Sequence, residues 1–416
     1  MSFERAPNAT SRADQTTVRH ANLGVVLQQI AGGAPRSRAG VAAETGLTRG
    51  TVSSLVGELI ELDLLRETGE DQRSGRAGRP GLALEVSDRV VAVGLEVNVD
   101  YLAVCVEDLA GNVRYEKHVH ADNRRSAFGP VLNRLARLAR GAEEVIAAEG
   151  LISAGIAVAL PGLVAAESGR LLRAPNLAWS DIPVADEVSS RLGGVPVRVD
   201  NEANLAALAE HWQGVARDLD NFICVFAEVG VGAGIFIGGD LFRGSHGFGA
   251  ELGHITVAPG GLPCQCGAVG CLETIVGREA IARRAGICED DKRRARNVTR
   301  ELVRRAEQGD EAVIASVAEA GHALGIGLAS AVNLFDVDAV VLGGCLGPLA
   351  PWLVADVREA LGVRVLSAGW PGCEVLVSEF GEGAAVRGAA ALTLRSVLAE
   401  PWLVAERSVS VRERVS

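Results

Sequence analysis

Between Gly249 and Glu273 the chain reads Gly249-Ala250-Glu251-Leu252-Gly253-His254, a Pro/Gly-rich turn, then Cys264-Gln265-Cys266-Gly267-Ala268-Val269-Gly270-Cys271-Leu272-Glu273. Three thiols and one imidazole within eighteen residues can close on a single tetrahedral ion. Sulfur and nitrogen donors of this kind are what zinc takes four at a time, so His254, Cys264, Cys266 and Cys271 are the expected ligands of a structural Zn2+. The Cys-x-Cys pair leaves little slack, and Gly267 and Gly270 let the backbone wrap round the ion before Cys271. Ordinary reduced thiols and a loop histidine are the bland alternative. The concentration of three of the chain's eight Cys in eight residues beside a His favours the metal. Two carboxylates, Glu251 and Glu273, flank the ligands without a role that this pattern assigns.

At 416 residues the chain is long enough for two or three domains. Apolar residues make up 48% and charged residues 22%, which argues against disorder. No run approaches the roughly eighteen uninterrupted apolar residues of a membrane helix, so no membrane partner is expected. Residues 1–20 are polar without an apolar segment, so no secretory signal is expected either. The other five Cys (Cys105, Cys224, Cys288, Cys345, Cys373) stand singly in apolar surroundings, the pattern of buried reduced thiols in a cytoplasmic protein.

The formal charge of -11 opposes nucleic-acid binding only if it is spread evenly. It is not. Residues 1–90 hold eleven Arg and eleven Asp plus Glu, leaving 30 basic and 41 acidic groups in the remainder. Every basic residue before Lys117 is Arg, the side chain suited to planar contacts with phosphate and guanine.

Residues 1–18 are polar without periodicity and read as a loose arm. From Asn22, Leu23, Val26, Leu27 and Ile30 recur at helical spacing until Gly32-Gly33-Ala34-Pro35 stops the helix. Ser37 can cap a short second helix through Thr45, Gly46 supplies a turn, and Thr48 caps a third with Val52, Leu55, Val56 and Leu59 as its buried stripe. That order is a helix-turn-helix. The third helix presents Arg49, Thr51, Ser53 and Ser54 to base edges or phosphates. Two strands follow around an Arg/Gly loop with Arg76 and Arg79, the form of a wing that lays guanidinium groups in a minor groove. Each part alone is common; in this order they point to operator DNA over residues 19–88.

The body, residues 89–416, begins with buried-strand runs at Val91–Val97 and Tyr101–Val106, a third strand from Asn112-Val113, and a helix from Phe128 to Ala148. Ile152–Leu160 is a further strand ending at Pro161-Gly162, and Val195–Asp200 runs into a helix over Leu205–Gln213. Phe222–Ala227 breaks into a glycine loop, Val229–Gly234, before strand residues Ile235–Ile237. Ala339–Gly344 repeats that start, mainly helical sequence lies between, and a small-residue helix closes the chain from Gly383. Strands alternating with covering helices make an α/β fold.

Gly253-His254 with Cys264-x-Cys266-Gly-x-x-Gly-Cys271-x-Glu273, preceded by Asp200-Asn201-Glu202-Ala203-Asn204 and Leu160-Pro161-Gly162-Leu163-Val164, resembles the ROK family of repressors, open reading frames and sugar kinases. Leu47-Thr48-Arg49-Gly50-Thr51-Val52-Ser53 and Gly78-Arg79-Pro80 look like the winged helix-turn-helix of that family's regulators. The resemblance implies a winged helix-turn-helix followed by two actin-like, ribonuclease-H-like lobes with a sugar in the cleft between them. It implies that Asn201, Glu202, Glu251, His254 and Glu273 bind sugar hydroxyls, with Asn176 as a neighbour. Carboxylates and amides fixed together suit vicinal hydroxyls. His254 would give one ring nitrogen to zinc and the other to the sugar.

Kinases of the family carry an Asp-x-Gly-Gly-Thr turn, a Gly-Thr-Gly turn and an Asp after Asn as catalytic base. Here the first turn reads Glu96-Val97-Asn98-Val99-Asp100, the second Glu228-Val229-Gly230, and Glu202 holds the base position. The glycines that let phosphate approach the backbone are gone, and Glu202 is one methylene too long for the base geometry. The expectation is a regulator without catalytic residues, a repressor binding DNA as at least a homodimer under control of a sugar or sugar derivative. A sugar kinase with an attached DNA-binding domain is the alternative.

Overall fold

A computed structural model describes residues 15–33, 35–70, 82–124, 126–287, 298–369 and 372–404. Helix α1 (Gln15–Ala31) opens seven residues before Asn22 and takes in four residues of the expected arm. Its first turns are polar and face solvent, so they carry no apolar period to read; Arg19 fastens them to Glu58. Strand β1 (Arg36–Ser37) leads into α2 (Arg38–Thr45), where the Gly40 amide donates to Ser37 Oγ. Gly46, at φ +72°, ends it by returning its N–H to the Ala42 carbonyl. Helix α3 (Arg49–Glu61) is capped by Thr48, which accepts from the Thr51 amide at 3.1 Å. Strands β2 (Leu65–Glu70) and β3 (Leu82–Val86) pair antiparallel, with β1 on the other side of β3. This is a winged helix-turn-helix; Arg76 and Arg79 lie outside the described residues.

Lobe one comprises β4 (Val90–Val97), β5 (Tyr101–Asp108), β6 (Val113–His120), α4 (Phe128–Ala148), β7 (Ile152–Leu160), the small sheet β8 (Leu163–Ala165), β9 (Arg170–Ala174) and β10 (Trp179–Ile182), then α5 (Val184–Arg191), β11 (Val197–Asn201) and α6 (Glu202–Gln213). Lobe two has β12 (Phe222–Ala227), β13 (Val231–Ile237), β14 (Asp240–Leu241), α7 (Glu273–Val276), α8 (Arg278–Arg284), α9 (Val298–Glu307), α10 (Glu311–Phe335), β15 (Ala339–Gly344), α11 (Leu346–Leu349), α12 (Val354–Arg364), β16 (Glu374–Val377) and α13 (Ala384–Ala399). The main sheets run β11-β7-β4-β5-β6 and β16-β15-β12-β13-β14, the same plan twice: a parallel half joined to an antiparallel half. Val231–Gly234, expected as loop, is strand instead. Its register with Phe226, Val225 and Cys224 is kept because small residues let α6 lie directly on it.

Helices α6 and α13 pack on each other between the two sheets. Their backbones nearly touch: a Cβ on Gly388 would strike the Leu205 carbonyl, and one on Gly94 of β4 would strike that of Val386. The other end of α13 joins the N-terminal unit. Leu394, Val397 and Leu398 share one buried cluster with Leu23, Leu27 and Leu84, and His20 stacks on Trp402 with centroids 4.2 Å apart. Helix α10 is apolar and long enough to span a membrane by composition alone, but most of its apolar window is buried in lobe two. Cys105, Cys224 and Cys345 are buried free thiols and Cys373 is half-buried, while Cys288 lies outside the described residues.

Candidate functional site

The turn Leu252–His254 and the loop that follows converge on one point. His254, Cys264, Cys266 and Cys271 place one donor atom each within 4.8 Å of one another. Cys264 Sγ stands 3.7 Å from His254 Nδ1, and Cys266 Sγ stands 3.7 Å from Cys271 Sγ. Zinc–sulfur and zinc–nitrogen bonds of about 2.3 and 2.0 Å at tetrahedral angles require donor separations of about 3.5–3.8 Å. The residues therefore fit a single zinc ion. Gly267 and Gly270, at φ +103° and +74°, make the turns that the Cys-x-Cys spacing demands. The Ala268 amide holds the Cys266 thiol below its ordinary range, whereas burial raises Cys264 and pushes Cys271 up to about 12. A dication at this point reverses the burial cost.

Glu273, beside Cys264, links the cluster to the space between the lobes, where it meets Asn176 of lobe one. A narrow recess of about 30 Å3 is lined by Gly162 and Leu163 of lobe one, Asn201 and Asn204 at the start of α6, and Ala250 and Glu251 of lobe two. Of the expected sugar-binding residues, the exposed Glu251 and the half-buried Asn201 line it, whereas Asn176, Glu202, His254 and Glu273 are half-buried outside its lining. Asn176, in the turn between β9 and β10, and Glu273, which opens α7, meet over Gly230. A Cβ there would lie 3.0 Å from Asn176 Nδ2 and 2.6 Å from Glu273 Oε2. Glu273 Oε2 also accepts from the Val231 amide at 3.1 Å, while Oε1 lies 3.8 Å from Cys264 Sγ. Asn98 Nδ2 donates to Glu202 at 3.4 Å. Burial, then the Glu228 and Glu273 charges, push the Glu202 carboxyl up to about 8.

Asn201 carries a second duty that its motif does not reveal. Its Oδ1 caps α6 by accepting from the Ala203 and Asn204 amides, and its Nδ2 donates to the Gly162 carbonyl at 2.8 Å. One amide hydrogen remains for a ligand. Asp200, 2% exposed, binds both arms of Arg243 at 2.5 and 3.1 Å and accepts from Asn204. Sequence reasoning missed Arg243, because its partner lies 43 positions away and no local pattern marks it.

At the turns Glu96–Asp100 and Glu228–Gly230 the chain ties itself together. Arg278, 6% exposed at the start of α8, donates to Glu228 at 2.7 Å and to Asp100 of the opposite lobe. Arg124 takes Asp100 at 2.7 Å and reaches Glu279. Glu96, fully buried, accepts from the Tyr101 hydroxyl with one oxygen and has no partner for the other. Burial first, then Glu202 and Glu228, push its carboxyl well above the usual range.

On α3, Arg49, Ser53 and Ser54 are exposed. Thr51 is half-buried, its hydroxyl 2.9 Å from that of the capping Thr48, and Ser54 Oγ receives Arg19 at 3.5 Å. Arg49 and Ser53 thus form the free part of the expected recognition face.

Repeated lobes with a His/Cys cluster that fits one metal ion define a recognisable class: residues 92–396 match the ROK family model, and the chain belongs to the ROK family. Within that family, relatives matched over nearly their whole length include xylose and N-acetylglucosamine repressors. A putative xylose repressor from Caldicellulosiruptor sp. (strain Rt8B.4) is 31% identical over 92% of this chain and 98% of its own. A crystal structure of a ROK family transcriptional regulator, a homolog of the E. coli MLC protein, has a TM-score of 0.76 at 26% identity and covers 93% of this chain and 98% of its own. A ROK family glucokinase from Streptomyces griseus, solved with glucose and AMPPNP, is 29% identical with a TM-score of 0.63. It spans 73% of this chain and 98% of its own, so about a quarter of this chain has no counterpart in it.

Proposed function

We propose that this chain is a DNA-binding transcriptional repressor whose operator affinity is set by a sugar or sugar derivative held in a zinc-supported cleft. The observation that carries this reading is the contrast between the two halves of the cleft. The hydroxyl-binding groups converge, whereas the positions that hold phosphate in kinases are filled by Asp100, Glu228 and Arg278 bonded to one another. A nucleotide phosphate would have to displace two carboxylates from a buried guanidinium.

His254, Cys264, Cys266 and Cys271 would hold Zn2+, and its chemistry there is a fixed coordination point for the His254 ring. The other ring nitrogen, Glu251, Glu273 and Asn176 then meet ligand hydroxyls from one side and Glu202 from the other. Because these groups come from both lobes, a ligand that satisfies them together favours one interlobe angle. Helix α13 carries that angle to the N-terminal unit through the cluster it shares with α1. Arg49, Thr51, Ser53 and Ser54, with Arg76 and Arg79 of the wing, would contact operator DNA, and a twofold operator calls for a homodimer or higher homo-oligomer. Ligand would release the DNA, the commoner direction among such repressors.

The test is a thermal-shift screen with pentoses, hexoses and amino sugars, followed by gel shifts and ATP turnover with the same panel. One sugar should raise the midpoint and weaken operator binding. Robust phosphorylation of any panel sugar would replace this reading with a sugar kinase bearing a DNA-binding unit.

A further inference from the structure

We infer that Arg243–Ala250 is a strap closing the recess between the lobes, and that the Arg243–Asp200 ion pair is the catch that holds it shut; the inference rests on the sugar-sensing reading above. The recess has about 30 Å3, room for about one water. Sites that hold a small organic ligand run to about 300 Å3 and more. Asn201 and Glu251 line it from opposite lobes, and no sugar ring fits between them until one wall moves.

On the lobe-two side that wall is Gly232 and Ala233 of β13 together with Gly247, Phe248, Gly249, Ala250 and Glu251. Strand β13 is fixed, since its register with β12 is unbroken and α6 lies directly against Gly232 and Gly234. The strap is held differently. At its front Phe242 meets Phe335 of α10 edge-on with ring centroids 5.3 Å apart, and at its rear Ala250 packs on the lobe-two core. Between these anchors no residue from Arg243 to Gly249 is fully buried, and Ser245 and His246 are exposed. Gly244 and Gly247, at φ +68° and +83°, make its bends. Its ends meet where the Gly249 amide donates to the Arg243 carbonyl at 2.9 Å, so the segment is a small closed loop that can swing as a unit.

What crosses to lobe one is the Arg243 side chain, with Nη1 and Nη2 at 3.1 and 2.5 Å from the two oxygens of Asp200. Asp200 lies at the end of β11 and also accepts from the Asn201 amide and from Asn204. The catch therefore stands one residue from Asn201, and a bidentate pair of this kind is held or released as a whole. Rotation of the lobes is the competing way in. It would part Arg278 from Asp100 and Arg124 from Glu279, both of which join the two lobes, and Arg278 is 6% exposed. It would part Arg243 from Asp200 as well. Of these ion pairs between described residues, lifting the strap breaks only the last, which makes it the easier opening.

The test compares the full zinc-loaded chain as wild type, Arg243→Met and Arg243→Lys. Without any sugar, hydrogen exchange at the Gly249 amide should be about tenfold faster in Arg243→Met, with Arg243→Lys between the two. The bonded amides of Cys264, Gly267 and Gly270 in the metal loop should exchange as in wild type. Equal exchange at Gly249 overturns the inference. So does acceleration that spreads through the metal loop and both sheets, because Arg243 would then be a general structural tie. Calorimetry and stopped-flow tryptophan fluorescence with D-xylose, D-glucose and N-acetylglucosamine give the second readout. A sugar that binds should enter and leave Arg243→Met about tenfold faster with its Kd within about threefold of wild type, because a gate changes both rates together. A Kd weakened about tenfold with unchanged association would assign Arg243 to holding the bound sugar and overturn the strap. Binding by none of the three counts against the sugar-sensing reading alone, and the Gly249 exchange then decides the strap.

Discussion

Replacing Glu202 with Gln should make the protein's stability less sensitive to pH, and the structure gives the size of the change. Burial and the neighbouring Glu228 and Glu273 push the Glu202 carboxyl up to about 8 in the folded state, against 4.5 for the ordinary group. A folded-state value above the unfolded one means that the native protein holds the proton more tightly. The contribution is therefore fully present below about pH 4.5 and is lost as pH rises toward 8. At about 1.36 kcal/mol per unit, the limiting loss is about 5 kcal/mol. Solvent still reaches this half-buried side chain at the cleft, and screening brings the working figure to about 2 kcal/mol. Gln keeps the hydrogen bond from Asn98 and removes the titration. Urea unfolding of both proteins from pH 5 to pH 8 should show Glu202→Gln gaining about 2 kcal/mol over wild type across that window, or about 4–8 °C in the lobe's thermal midpoint. Glu107, pushed up to about 8, titrates in the same window and cancels in the comparison. Parallel curves for the two proteins would refute the claim that Glu202 carries an elevated folded-state affinity for its proton.

Cys266→Ser should abolish stoichiometric metal by elemental assay and with it the sugar-induced thermal shift; a wild-type protein free of zinc would remove the central premise. Arg278→Met strands the buried Glu228 carboxylate, Asp100 keeping Arg124, and should cost about 3 kcal/mol in chemical unfolding, so a change under about 1 kcal/mol would show that the ion pair adds nothing. Arg49→Ala should weaken operator binding by about tenfold or more in a gel shift, and an unchanged affinity would displace the recognition face from the start of α3. A Cβ on Gly24 of α1 would lie 2.6 Å from the Ala399 carbonyl, so Gly24→Leu should disturb operator response while leaving sugar affinity within about twofold. Loss of both together would instead indicate general unfolding.

What could be read from the sequence was local. Ser37, Gly46 and Thr48 marked helix ends within four residues of the groups they bond, and the metal ligands crowd into one loop. The cap at Asn201 was equally local, but a motif that points to a ligand conceals the backbone bonds its residue also makes. The first turns of α1 escaped notice because they bury nothing, and periodicity reports only buried faces. Asp100 was read as an anion standing where kinases of the family carry a Thr. That Arg278 and Arg124 would answer it was not legible, since one partner lies 178 positions away and the other in a different element. Long-range charge pairing leaves no periodic trace in a chain.

Helix α13 bears on how such proteins can be recombined. Its small residues bring it against β4 and α6 without room for a methyl group, and its far end is built into the core of the N-terminal unit. Residues 15–86 are consequently not a cassette that can be exchanged by cutting at the junction near residue 88. A chimera that receives a foreign reading head must also receive the matching last turns of α13 and the segment through Val404, or it will join two halves of unlike cores. The operator and the effector of this protein are physically inherited together through one helix from the opposite end of the chain.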